Sequence, residues 1–499
     1  MVVTTQLKNQ HLLWRAGFGP AADKVQQLAT SSPLITYAAL VKASNKKPQY
    51  LDVANDLFDG FFKGVGELSR TEKAAREMSE EVTKEKQKEF RRQSREGLKS
   101  LNLSWLDEMV TSGAQLREKM SLFWHGHFAC RNINIFFQQL LLDDIRNNAL
   151  GSFRDLLTAV SKSAGMLAFL NNQQNKKSHP NENFAREVME LFTMGRGNYS
   201  ENDVKEAARA FTGWGFNLKG EYVFRKFQHD EGMKTFLGRK GNFDGDDVIK
   251  ILLEQKSTAT FITRKVYRYF VNEQPDEQKV KWLADRFYSS DYNISALMND
   301  IFTSDWFYDV KNIGALIKSP VELIVGIRRI LPMELEKGEV QLLMQRALGQ
   351  ILFYPPNVAG WPGGKNWIDS SSLMLRLRIP QLVTDNDVFN ISPKTDDDQQ
   401  MGMKDEGNGF KKQMKVGNGM LANNRFRINA DVNWQQYIKQ FESVSRTQLY
   451  DVMEAVMLQT SAGSVPEQSV EKVADKTTRE NYIKTVAIAL MSTPEYQLC

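Results

Sequence analysis

The chain has 499 residues, 41% hydrophobic and 25% charged, enough to bury a large core across two or three packed subdomains. Its 65 basic and 60 acidic residues leave a formal charge of +5, too balanced to point to nucleic acid. With two cysteines, Cys130 and Cys499, a disulfide framework or cysteine-rich zinc site is excluded.

No apolar run approaches the ~18 residues of a membrane span, and no basic-then-apolar leader opens the chain. The expectation is a soluble protein, cytoplasmic as written. Residues 9–20, NQHLLWRAGFGP, combine a short helical pattern with a glycine-proline stop, and a helix is expected from about Ala21 to Leu28. From Thr71 to Leu98 nearly every residue is charged or a good helix former, which predicts a solvated helical arm. Arg91, Arg92 and Arg95 give that arm an alternative use in holding an anion.

Leu103 to Cys130 reads as two helices, the second leading into Phe123-Trp124-His125-Gly126-His127-Phe128. Histidines two apart diverge by about 200° on a helix. They converge on one ligand only if the helix stops at Gly126 or the segment is extended. His-x-His is a metal arrangement, and histidines among aromatics are equally satisfied core groups.

The densest stretch runs from Ser178 to Phe216. Phe184, Val188, Leu191 and Phe192 draw one apolar helical stripe, with Asn181 as N-cap and Gly195 and Gly197 as the stop after Met194. Ser200 and Asp203 form a capping-box variant for a second helix ending near Gly213. Glu187 and Glu190 border the stripe, with Arg186 and Arg209 as counter-charges, which suits metal ligation, acid/base work or structural ion pairing. The polar loop before this stretch brings in His179. Beyond Trp214, short aromatic-polar runs broken by glycine predict a β-hairpin that carries His229 and Asp230.

Successive helices follow to about Leu331, with Asp244 or Asp246 capping one and Pro320 starting another that is strongly apolar and buried. Gly349 to Arg378 holds paired prolines and Trp361 and Trp367, an ordered irregular loop. Residues 384–425 are polar and poor in large apolar groups. The fold class expected is mainly α, a multi-helix globular array with a small β-hairpin near 216–240 and a long ordered Gly/Pro/Trp loop near 353–368. Residues 1–383 make the main domain with the charged arm at 71–98 inserted, 384–425 a flexible excursion, and 426–499 C-terminal helices packing on the main domain.

The segments QHLLWRAGFGP, FWHGHF, NENFAREVMELFTMGRGNYSENDVKEAARAFTGW, LIKSPVEL and PPNVAGWPGGKNW, in that order, resemble the bacterial family called domain of unknown function 1800. The resemblance implies a partner, a sulfatase-like protein encoded by a neighbouring gene and often bearing a twin-arginine signal, and co-export to the periplasm with it. The charged arm and the polar excursion look like insertions peculiar to this branch.

The residues themselves suggest an enzyme, hydrolytic or metal-assisted, acting on an extracytoplasmic polymer or protein-linked group. Its pocket is expected from His125, His127, Glu187 and Glu190, with His179, His229 and Asp230 above it and Arg186 holding an anion. A divalent metal would sit on His125, His127 and Glu187; without one, a His/Glu pair supplies acid/base chemistry. The alternatives are a non-catalytic scaffold for the sulfatase-like partner, and carbohydrate binding through Trp214, Trp361 and Trp367. No serine-nucleophile motif, P-loop or dinucleotide fingerprint is present.

Overall fold

The computed structural model describes residues 3–54, 80–217, 219–384, 388–390, 425–427, 429–460 and 463–499. The fold is mainly α. Helices α1 (Thr5–Arg15), α2 (Pro33–Ser44), α3 (Glu80–Thr111), α4 (Gln115–His127), α5 (Ile135–Asn148), α6 (Phe153–Lys162) and α7 (Ala164–Phe169) lead to α8 (Glu182–Glu187) and α9 (Glu201–Ala210). After two short hairpins come α10 (Gly245–Leu253), α11 (Lys256–Phe270), α12 (Glu277–Ser289), α13 (Ile294–Phe302), α14 (Pro320–Ile330), α15 (Glu339–Leu348) and α16 (Ser370–Thr384). The C-terminal part adds α17 (Trp434–Lys439), α18 (Leu449–Met457), α19 (Glu467–Glu471) and α20 (Arg479–Met491).

Short polar side chains start most of these helices by satisfying amides that have no partner within the helix. Asn181 accepts the Asn183 N–H, and full capping boxes form at Ser200 with Asp203, Asp244 with Asp247, and Ser319 with Glu322. Pro320 occupies the first turn of α14, where its missing N–H costs nothing. The stretch after Pro20 closes as a 3-10 helix, Ala22–Leu28.

Three apolar clusters hold these elements. The largest joins α1, α2 and α4–α13 around Trp124, Phe128, Phe153, Phe184, Phe192, Phe211 and Trp214. A second joins α14–α16 to the C-terminal helices and takes Trp14 from α1. Between them, Leu98, Leu101, Trp105 and Met109 of α3 meet Val321 and Val325 of α14 and Phe353. Helix α14 is apolar on several faces because it contributes to two clusters. Its Gly326 matters: a Cβ there would lie 2.3 Å from the Trp14 ring.

Four sequence expectations change in detail. The charged arm belongs to one 32-residue helix, α3, whose second half buries one face through Leu98, Leu101, Trp105, Leu106 and Met109; residues 71–79 of the arm lie outside the described residues. The single hairpin is two ladders, β1 (Trp214–Phe216) with β2 (Tyr222–Phe224) and β3 (Lys234–Phe236) with β4 (Arg239–Gly241). The predicted continuous helix to Met194 changes register into a π-helical turn, Val188–Thr193. Of the 384–425 excursion, Val388–Asn390 pairs with Arg425–Arg427, and most of the rest lies outside the described residues. A pairing with no sequence signal ties Met333–Leu335 to Ala430–Val432.

The 353–368 loop is ordered by close approaches. Phe353 holds φ at +68° and Gly360 at +80°, and a Cβ on Gly360 would lie 2.4 Å from the Gly126 carbonyl oxygen at the end of α4. Gly360→Ala is therefore expected to lower stability by about 2–4 kcal/mol, combining left-handed strain and a backbone clash. Gly197→Ala, at φ +85° with open space around it, carries the strain alone and should cost about 1–2 kcal/mol. Urea denaturation of both variants checks the difference; equal losses would remove the role of the Gly360 contact.

Candidate functional site

Segments far apart in sequence meet at the end of α4. The helix runs through both histidines, so their rings leave on different faces. The buried His125 accepts the Phe353 N–H at Nε2 (3.1 Å) and packs against Trp105, Phe353 and Trp361. Burial pushes its pKa down to about 3. His127 donates from Nε2 to the Phe192 carbonyl (3.2 Å) and accepts from Lys265 Nζ at Nδ1 (3.1 Å). Burial first, then the Lys265 charge, holds it well below the ordinary histidine value.

The π turn makes the second contact possible. Met194 N–H reaches back to Met189 (2.9 Å), and the wider turn presents the Leu191 and Phe192 carbonyls to Lys265 Nζ (3.2 Å) and His127. With Nε2 of His125 and both nitrogens of His127 occupied, the two rings do not converge with Glu187 on a common ligand. Among the described residues, no group of three or more His, Cys, Asp or Glu side chains is placed to hold a metal ion.

The carboxylates of the central stretch are mostly engaged. Arg186 makes two 2.8 Å hydrogen bonds to Glu201 and one of 3.1 Å to Glu182. Glu190 accepts from Arg196 and from the Tyr199 hydroxyl (2.9 Å). Burial raises the Glu190 pKa, but these donors outweigh it and hold the group below the usual carboxylate range. Glu187 is half-buried and makes no hydrogen bond or ion pair with the described residues; burial and the neighbouring Glu190 charge raise its pKa. His179 stands exposed on its loop.

The hairpin region builds a different site. A cleft of about 740 Å³ is lined by Lys177, Lys226, Phe227, His229, Asp230 and Glu231. Its back wall is tied to α9 and the turn after it. Arg209 holds Asp230 through two hydrogen bonds (2.7 and 3.2 Å), and Thr212 Oγ1 accepts the Asp230 N–H (2.8 Å). The Arg209 bonds keep the Asp230 pKa low, so this acid is a fixed anion. His229 Nδ1 lies 2.9 Å from the Thr212 carbonyl and 3.2 Å from Thr212 Oγ1, whose own proton goes to the Arg209 carbonyl (2.6 Å). A carbonyl only accepts, which puts the proton on Nδ1 and the lone pair on Nε2. Nε2 has no hydrogen-bond partner among the described residues. Lys177 N–H donates to the Gln228 carbonyl (2.8 Å) and fixes the polar loop as the opposite rim. Phe227 (73% exposed), Met233 and Phe224 stand exposed around the cleft.

A family model for a protein of unknown function, DUF1800, matches residues 11–498, nearly the whole chain. The chain belongs to the DUF1800 family. No curated protein and no solved structure matches it. Among its described residues, no helix is long and apolar enough to cross a membrane. In this DUF1800 chain the three tryptophans offer no shared platform: Trp214 and Trp367 are buried, and Trp361 packs on His125.

Sequence reasoning picked out His229 and Asp230 but missed Lys177 and Phe227, whose use depends on two loops meeting. It also missed Glu118, which is fully buried and accepts from Trp105 Nε1 (3.0 Å), Arg117 Nε (3.0 Å) and Arg146 (2.9 Å, twice). Three consecutive charges, Arg117, Glu118 and Lys119, inside the otherwise core-forming run QLREKMSLFW were the available signal.

Proposed function

We propose that the His229 cleft is a metal-free acid/base site hydrolysing an anionic group carried on a polymer or protein. The observation that carries this reading is His229, whose Nδ1 proton goes to the Thr212 carbonyl and whose Nε2 has no partner among the described residues, lining an open cleft with Lys177 and with Lys226, itself 3.9 Å from Glu231. In the reaction, Nε2 takes a proton from water as its oxygen attacks the ester's central atom, the bond to the leaving oxygen breaks, and the imidazolium returns that proton to the departing oxygen; Lys177 and Lys226 hold the negative charge, and the exposed Phe227 ring covers the attached apolar part. Asp230, held by Arg209, orients the turn and does not exchange protons.

A panel of aryl phosphate, sulfate and carboxylate esters tests this. His229→Gln removes the proton acceptor, and the expected result is a loss of about 10²–10⁴-fold in kcat/KM with an unchanged Tm. Lys177→Met with Lys226→Met should raise KM. Full activity in His229→Gln would overturn the assignment. A second reading is favoured by the exposed Phe224, Phe227 and Met233 beside these lysines: the face docks a protein partner, the sulfatase-like protein being the candidate. Phe227→Ala would then weaken complex formation, whereas His229→Gln would not.

A further inference from the structure

A second group of charges lies in the core where α1, α4, α14, α16 and the last residues meet. Arg15, Lys119, Lys318, Glu322 and Arg376 are all buried there. Lys119 pairs with Glu322 and donates to the Trp14 carbonyl (3.0 Å). Lys318 Nζ sits between the Trp14 and Tyr496 rings, 3.6 and 3.8 Å from their centroids. Arg376 donates to Gln497 Oε1 (3.1 Å) and to the Lys318 carbonyl; Arg15 donates to the carbonyls of Asn312 (2.9 Å) and Cys499 (2.6 Å).

The charges do not balance. Glu322 is the one carboxylate paired within this group, and it is matched by Lys119. Lys318 can shed its proton, since burial pushes its pKa down to about 7. A guanidinium cannot at neutral pH, and a buried unpaired cation costs several kcal/mol. Arg15 and Arg376 have no carboxylate partner among the described residues, and only the fields of Cys499 and Glu322 reach them. Even a main-chain carboxylate at Cys499 would answer only one of them.

Unpartnered donors mark the same region. Arg15 Nε and Nη1, Arg376 Nη1 and the hydroxyls of Tyr269 and Tyr496 are buried without a hydrogen-bond partner. Arg15 is 1% exposed and Arg376 fully buried. We infer that a small inorganic anion, with halide as its probe, binds at the unpartnered donors of Arg15 and Arg376. The anion would join the N-terminal segment, the Leu316–Leu323 segment and the chain's last residues, a structural site separate from the His229 cleft.

The test uses the full chain in sodium chloride, bromide or gluconate at equal ionic strength. Tm should rise with the logarithm of halide concentration, because the ligand binds the folded state only, and should not follow gluconate. Crystals grown in bromide should show an anomalous peak within hydrogen-bond distance of one of the two guanidinium groups. Arg376→Gln, which keeps a donor for the Lys318 carbonyl, should lose or weaken the halide dependence at least tenfold; if it fails to fold, the bromide peak decides alone. Equal Tm in halide and gluconate, or bromide at surface positions only, would overturn the inference and leave the donors to water.

Discussion

Acidification from pH 6.5 to 5 is expected to destabilise the fold by about 2–6 kcal/mol, before most carboxylates titrate. Among the buried histidines, burial is the first cause lowering the pKa of His11, His125 and His127 below 6.5. His11 lies 4.4 Å from the Phe307 ring, with Arg15 adding to the shift. Because the folded pKa is depressed, the unfolded chain binds more protons between that value and 6.5. The stability is therefore complete above pH 6.5 and lost as pH falls; for His125 the window runs from 6.5 to about 3. Each such group contributes up to ~1.4 kcal/mol per pH unit, so three give at most ~4 per unit, and the buried Asp144, its pKa raised to about 7, opposes them by up to ~1.4 per unit. Glu190 and Asp230, whose pKa values are lowered, add their share only at lower pH.

Urea midpoints at pH 7, 6 and 5 measure the effect. His125→Gln, whose amide oxygen can still accept the Phe353 N–H, should flatten the slope by about a third. An unchanged stability from pH 7 to 5 would mean that the three rings protonate in place, against their burial. At alkaline pH, Lys318 and Lys265 act in the same sense. Burial lowers their pKa values to about 7 and about 8, so stability keeps rising with pH from those values toward the ordinary lysine range.

Glu118→Ala should cost about 3–5 kcal/mol. Its carboxylate is fully buried and anchors Arg117, Arg146 and Trp105. Removing it leaves two guanidinium groups and an indole N–H in the core with much of their pairing lost. Arg146 also holds the Gln49 carbonyl (2.6 Å) and Glu108 (3.1 Å), so the damage should reach the segment before residue 54. The control is Glu89→Ala on the outer part of α3, where the Arg92 pair is exposed and a surface ion pair adds little. Denaturation midpoints of the two variants should separate clearly; coincident midpoints would show that the Glu118 network adds no net stability.

Much of the local structure was legible in the residues. Asn181, Ser200 with Asp203, Asp244 and Pro320 were recognisable as helix starts because a cap closes its hydrogen bond within three residues. The π turn was not, because Val188–Thr193 carries the same apolar stripe as an α-helix and differs only in where its carbonyls point. The candidate site was legible in part. His229 and Asp230 stand together in the sequence, while Lys177 arrives on a separate loop.

By itself, then, the sequence determined the mainly α character, several helix starts and the concentration of titratable groups in a few segments, since all of these follow from composition and short-range spacing. Tertiary structure decided what those groups do. His125 meets Phe353 across 228 residues and Lys119 meets Glu322 across 203. Whether a histidine is a ligand or a packed acceptor depends on such a distant partner and on burial, neither of which is encoded within one helical turn.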